Sequence, residues 1–190
     1  MAMPLHHDPG LLMTLDEWVA LPEDDTYRYE LQEGVLLVSP RAARRHQLAA
    51  QRLSQQLDGQ LPVDWESVLD MEVVVRAPHP PTVRVPDVVV TRVGGPEDRL
   101  AASDVLLAVE IISPGSRNVD LHLKPYEYAE AGIPHYWIVD LDPPAPSITV
   151  CHLGTPDVGY VEAPAATGEL VTTAPLRLRI DIPALVAPRS

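Results

Sequence analysis

The sequence predicts an α/β fold of the mixed α+β kind, with the order α-β-β-β-α-β. Two stretches, residues 43–57 and 120–131, repeat apolar residues at helical spacing. Between them lie three strand-like runs, "MEVVVR", "RVPDVVVTR" and "DVLLAVEIIS", and "HYWIVDL" follows the second helix. The second and third of these are nearly continuous Val, Ile and Leu, as in central strands buried on both faces, and "HYWIVDL" reads as another buried strand. A mixed central sheet flanked by helices accommodates such strands.

The elements can be justified in order. The chain of 190 residues is long enough for a single domain with a sizeable core, and neither a repeat nor a linker divides it. Residues 1–13 read as a mobile tail carrying His6 and His7, 14–140 as the core, and 141–190 as an extension of short strands. Thr14 and Glu17 form a capping-box pattern that opens a short helix running to about Leu21. "RYELQEGVLLVSP" alternates into a hairpin with Gly34 at its turn. Leu48, Leu53 and Leu57 mark the inner face of a helix that stops at Gly59. Gly132, as a left-handed cap, and Pro134 end the second helix. "SITVCHL", "GYVEA", "ELVTT" and "LRIDI" then read as short meandering strands, with prolines punctuating loops and edges.

Composition removes several classes of function. No apolar run approaches the ~20 residues of a membrane span, and no secretory leader is visible. The single cysteine, Cys151, can close no internal disulfide, and the CH pair at 151–152 has no second half for a zinc site. The expectation is a cytoplasmic protein. A net charge of −13 argues against coating nucleic acid by bulk electrostatics. It leaves room for a metal ion and a local basic patch. "RAARRHQ" offers one, with Arg41, Arg44, Arg45 and His46, although short charge runs are usually solvated helix starts. "SPGS" lacks the nucleophile-elbow pattern, and no phosphate-cradling glycine loop occurs.

Charges inside apolar runs carry more information. Asp87 interrupts "VPDVVV" and Glu110 interrupts "AVEII". The connecting loop, residues 93–104, and the pair Asp87/Glu110 share the midpoint 98.5. Antiparallel pairing about that loop therefore places the two carboxylates opposite each other on one face, ~5 Å apart. Buried like charges at that distance need a shared proton, a basic side chain or a divalent cation. On the second helix, Leu121, Lys124, Tyr128 and Ala131 share one face, which turns Lys124 toward the sheet. A lysine there could orient water or stabilise phosphoryl charge, or it could lay its stem on the core with its head in solvent. Glu30, in "YRYELQEG", is a fourth candidate, although strand charges usually face water.

With these residues in view, "RYELQEGVLLVSP", His46, "PDVVV" and "VEIISPGSRNVDLHLKPYEYAEAGIPHYWIVD" resemble the Uma-type family of bacterial restriction endonucleases. That family belongs to the PD-(D/E)xK nuclease superfamily, whose restriction-endonuclease-like core has the same α-β-β-β-α-β order. The resemblance implies that Asp87 and Glu110 bind metal with the Ile111 carbonyl, and that Glu30 and Lys124 join them in catalysis. The motif lysine should stand two residues after Glu110, where Ile112 is found, and Lys124 matches a lysine that has moved to the next helix. Ser113, Asp120 and Tyr128 also fit the family pattern, as supporting or packing residues.

What the resemblance implies is a Mg²⁺- or Mn²⁺-dependent endonuclease hydrolysing phosphodiester bonds of nucleic acid, most naturally DNA, with "RAARRHQ" on the backbone phosphates. Superfamily nucleases often form a homodimer. Two alternatives fit the acidic charge: an inactive nuclease-fold binding or assembly module, and a metal-dependent hydrolase of small phosphate esters.

Overall fold

The computed structural model describes residues 12–22, 26–113, 115–142 and 144–188. After helix α1 (Leu15–Val19) come β1 (Tyr27–Gln32), β2 (Val35–Pro40) and α2 (Arg44–Asp58). Strands β3 (Trp65–Leu69), β4 (Glu72–Arg76), β5 (Thr82–Arg84), β6 (Val88–Arg92), β7 (Arg99–Ala101) and β8 (Val105–Ile111) follow. The chain continues through α3 (Lys124–Glu130), β9 (His135–Asp140), β10 (Ser147–Leu153) and β11 (Tyr160–Glu162). It closes with β12 (Ala166–Thr167), β13 (Glu169–Thr172) and β14 (Leu178–Asp181).

These strands form two main sheets. One has the order β2-β1-β5-β4-β7, and the other runs β11-β10-β9-β8-β6-β3 with β12 beside β10. The second sheet is mixed, because β8 and β9 are parallel while its other pairs are antiparallel. Helix α2 covers one face with Ala49, Leu53 and Leu57, packed on Val88, Val90, Leu107, Val109 and Ile111. On the other face, Tyr128 of α3 and Val73 and Leu100 of the first sheet pack over Val89 and Ala108. A smaller cluster of Met13, Trp18, Leu31 and Val83 joins α1 to the first sheet.

Two expectations are corrected. "MEVVVR" belongs to the first sheet, and β3 takes the place beside β6. "RVPDVVVTR" is two strands, with Val85, Pro86 and Asp87 crossing from one sheet to the other. Pro86 has no N–H for a ladder and restricts the residue before it, so the break falls there. Met13, the last residue of the expected tail, is buried and donates its N–H to Gly34 O at 2.7 Å. Residues 1–11, with His6 and His7, lie outside the described residues. At that contact Gly34 has φ +77°, and a Cβ there would lie 2.7 Å from Leu12 Cβ. A side chain is excluded on both counts.

The register agrees with the loop-midpoint expectation. Val88 pairs with Val109, Val89 with Ala108 and Val90 with Leu107. Continuing by one residue sets Asp87 opposite Glu110, at the mouth of β6 and β8. The second helix begins as a π turn over Val119–Leu123, in which the Lys124 N–H reaches Val119 O. Pro125 then has no N–H to offer. The Asp120 carbonyl is left to the Tyr136 hydroxyl, which donates to it at 2.8 Å.

Candidate active site

The two sheets meet at the mouth of β6 and β8, and the charged residues collect there. Arg28 and Glu30 stand two apart on β1 and so point the same way, toward the crossing segment. Asp87 lies on that segment, Glu110 is the penultimate residue of β8, and Lys124 comes down from α3. Glu110 is 2% exposed, Asp87 3% and Lys124 4%, so each needs a partner here.

Each has one. Lys124 Nζ lies 2.9 Å from Glu110 Oε1, 3.3 Å from Asp120 Oδ1 and 3.4 Å from Glu30 Oε1. The Tyr128 hydroxyl also donates to Glu110 Oε1, at 2.9 Å. Asp87 accepts from Arg28 Nη1 at 2.8 Å through Oδ1 and from the Ile111 N–H at 2.7 Å through Oδ2. His46, from the first turn of α2, places Nε2 2.8 Å from Ile111 O and 3.1 Å from Asp87 Oδ2. Both neighbours are acceptors, so Nε2 carries the proton in this arrangement.

A second ring of contacts holds Glu30. Its Oε1 accepts from the Val85 N–H at 3.1 Å and its Oε2 from Arg84 Nη1 at 3.1 Å. Arg84 is fully buried and forks onto Glu127 through Nε and Nη2 at 2.7 and 2.8 Å. Glu127 lies three residues beyond Lys124 on α3. Arg84 thus ties the helix that carries the lysine to the strand that carries Glu30.

The protonation balance follows from burial and charge. Burial pushes the Glu110 carboxyl up to about 8, against the pull of Lys124, with Asp87 and Asp120 adding to the rise. Burial also acts upward on Asp87, but His46 and Arg28 outweigh it and hold that carboxyl down at about 2. For His46, burial disfavours the imidazolium, and the Asp87 contact with the Ile111 carbonyl reverses this and raises the pKa. Lys124, despite its burial, is held charged by Glu110, Glu30 and Asp120.

The donor chemistry fits a hard divalent cation. Asp87, Glu110 and the Ile111 carbonyl present oxygen atoms. In the joined cluster, Glu30, Asp87, Glu110, Asp120 and Glu127 face Arg28, Arg84 and Lys124. With every carboxyl ionised and His46 neutral, the cluster would be two positive charges short; protonation of Glu110 or His46 reduces that deficit. Among the described residues, no group of three or more His, Cys, Asp or Glu side chains is arranged to hold a metal ion. Arg28, His46 and the Ile111 N–H instead contact the Asp87 oxygen atoms, and Lys124 and Tyr128 contact Glu110 Oε1.

The other expected residues divide. Asp120 and Tyr128 touch the cluster directly. Ser113 pairs with the Ser116 hydroxyl at 2.7 Å in the turn after β8. Arg41 lines a cleft of about 290 Å³ together with Arg28, His46, Gln47, Asp70 and Asp87. Arg45 turns away to the Leu141 carbonyl and Asp142, and Arg44 is exposed at the start of α2. Arg28, Arg84 and Glu127 went unnoticed in the sequence. Arg84 had a legible signal, since it stands between Val83 and Val85 as Glu110 stands between Val109 and Ile111.

Comparison with known proteins adds a family to this geometry. The model of the Uma2 family, described as "Putative restriction endonuclease", matches residues 15–183. The chain belongs to that family. Its Uma2 match takes in both sheets and every residue of the cluster. No curated protein matches the chain. A crystal structure of a "putative nuclease belonging to DUF820" from Anabaena variabilis ATCC 29413 superposes with a TM-score of 0.68. The two are 17% identical, and the match covers 92% of this chain and 97% of the other. At that identity the likeness establishes the fold alone.

Proposed function

We propose that this Uma2 protein is a divalent-metal-dependent endonuclease that hydrolyses phosphodiester bonds, with DNA as its substrate. The observation that carries the reading is the meeting of Asp87, Glu110, Glu30 and Lys124 at one sheet mouth beside an open cleft. Asp87, Glu110 and the Ile111 carbonyl would hold Mg²⁺ or Mn²⁺, which supplies a polarised phosphate and an activated water when bound. Lys124, held charged by its acidic neighbours, would stabilise negative charge on the phosphate. Glu30 and Asp120 keep its ammonium in position. Arg41 lines the cleft wall, where a backbone phosphate would pass.

The test uses supercoiled plasmid, single-stranded DNA and mononucleotides, each with Mg²⁺ or Mn²⁺. Wild-type protein is expected to nick or linearise the plasmid, and Asp87→Asn and Glu110→Gln to lose this at least a hundredfold. Cleavage that persists in both purified variants would overturn the site. The charge of −13 favours a second reading, a nuclease fold retained for binding or assembly. Tight metal binding without cleavage of any of these substrates would select that second reading.

A further inference from the structure

The position of His46 holds more than a contact to phosphate. Its Nε2 sits between two atoms, Asp87 Oδ2 at 3.1 Å and Ile111 O at 2.8 Å. Both are oxygen atoms that the nuclease reading assigns to the metal. We propose that His46 is itself a ligand of the divalent ion, so that Nε2, Asp87 Oδ2 and the Ile111 carbonyl oxygen form one face of its coordination shell. The proposal rests on that reading and deepens it.

The argument is geometric. Ligand atoms about 2.1 Å from an octahedral ion lie about 3.0 Å from their neighbours, because the edge is √2 times the radius. The two distances from Nε2 lie close to that edge. The ion takes the place of the Nε2 proton: a neutral ring shifts its single proton to Nδ1, and an imidazolium releases one proton to solvent and keeps the other on Nδ1. The surrounding bonds are compatible with this. Arg28 occupies Asp87 Oδ1, and the Ile111 N–H fixes the orientation of Oδ2. Asp87 therefore offers one oxygen to the ion. The half-buried imidazole, 12% exposed at its side chain, is carried by the first turn of α2, whose Ala49, Leu53 and Leu57 are packed in the core.

An imidazole in the shell changes which metal the site prefers. A set of oxygen donors alone suits Mg²⁺, whereas a nitrogen ligand favours transition metals by their order of affinity. Mn²⁺ is accordingly the better-held ion of the two. His46→Gln is expected to weaken Mn²⁺ binding by about tenfold or more and Mg²⁺ binding by less.

The deciding measurement is pulsed electron paramagnetic resonance on the full chain loaded with Mn²⁺. A nitrogen coupling from a directly bound imidazole is expected in wild type. Growth on ¹⁵N-histidine should replace that ¹⁴N signal, a result that does not depend on any variant folding. The coupling should vanish in His46→Gln, and Asp87→Asn should lose the bound ion. Mn²⁺ held in an Asp87-dependent way without nitrogen coupling, or with coupling that survives His46→Gln, overturns the ligand assignment and leaves the nuclease site standing. Failure of wild type to bind either ion overturns both.

Discussion

Replacing Lys124 by Met removes the one ammonium shared by Glu30, Glu110 and Asp120, at 3.4, 2.9 and 3.3 Å. The lysine is 4% exposed, so solvent cannot take its place. Breaking a buried pair by removing one partner costs roughly 3–5 kcal/mol, because the charge left behind is uncompensated. In a chain of 190 residues this lowers the melting temperature by roughly 10 °C. The loss should also depend on pH in a definite sense. Carboxyl groups deprived of their counter-ion bind protons more readily in the folded state than in the unfolded one, and such groups stabilise at low pH and lose that contribution as pH rises. Urea denaturation of metal-free protein at pH 5 and pH 8.5 reads both effects. The deficit of Lys124→Met should be largest at pH 8.5 and shrink at pH 5. A deficit below about 1 kcal/mol at pH 8.5 would mean the three acids are not held by this lysine.

Two further expectations follow from the same burial arguments. Glu110, pushed from its usual 4.5 to about 8, makes metal-free wild-type stability fall as pH rises across that window, by at most about 1.4 kcal/mol per unit. Glu110→Gln does not ionise, so its urea midpoint should exceed that of wild type at pH 8.5, and equal slopes against pH in the two proteins would contradict this. Cys151 is 1% exposed, with its thiol pushed up to about 12 by burial and then by Glu162. It should resist alkylation at pH 8 in native protein and react promptly in denaturant, and prompt native labelling would show the strand to be open.

The parts of this site that could be read in the sequence share a physical cause. Antiparallel pairing is nearly symmetric about its connection, so one midpoint was enough to set Asp87 against Glu110. This holds even though that connection carries β7 and the register shifts by one between Val90 and Thr91. Helix geometry is local, so the spacing of Lys124 and Tyr128 told which way the lysine points. Arg28 and Glu127 were not readable in that way. Period-two alternation puts Arg28 on the face of Glu30, but not whether that face meets water or a second sheet. The missing knowledge was that "MEVVVR" leaves the central sheet, which creates the inward face on which Arg28, Glu30 and Arg84 lie. Arg45 shows the converse limit. It stands beside His46 in sequence, yet one step along a helix turns it to the Leu141 carbonyl instead of the cleft.

The crossing at Val85, Pro86 and Asp87 also bears on when the cluster can form during synthesis. All its charged members, from Arg28 to Glu127, precede β9 in the chain. Yet β9 pairs along the side of β8 away from β6, aligning Ile138 with Glu110, and its Tyr136 secures the Asp120 carbonyl. A nascent chain stopped at Pro134 carries every acid and base of the cluster on an unclosed sheet. A chain cut at Pro134 is therefore expected to lack an ordered charge cluster, although β9 contributes none of its charges.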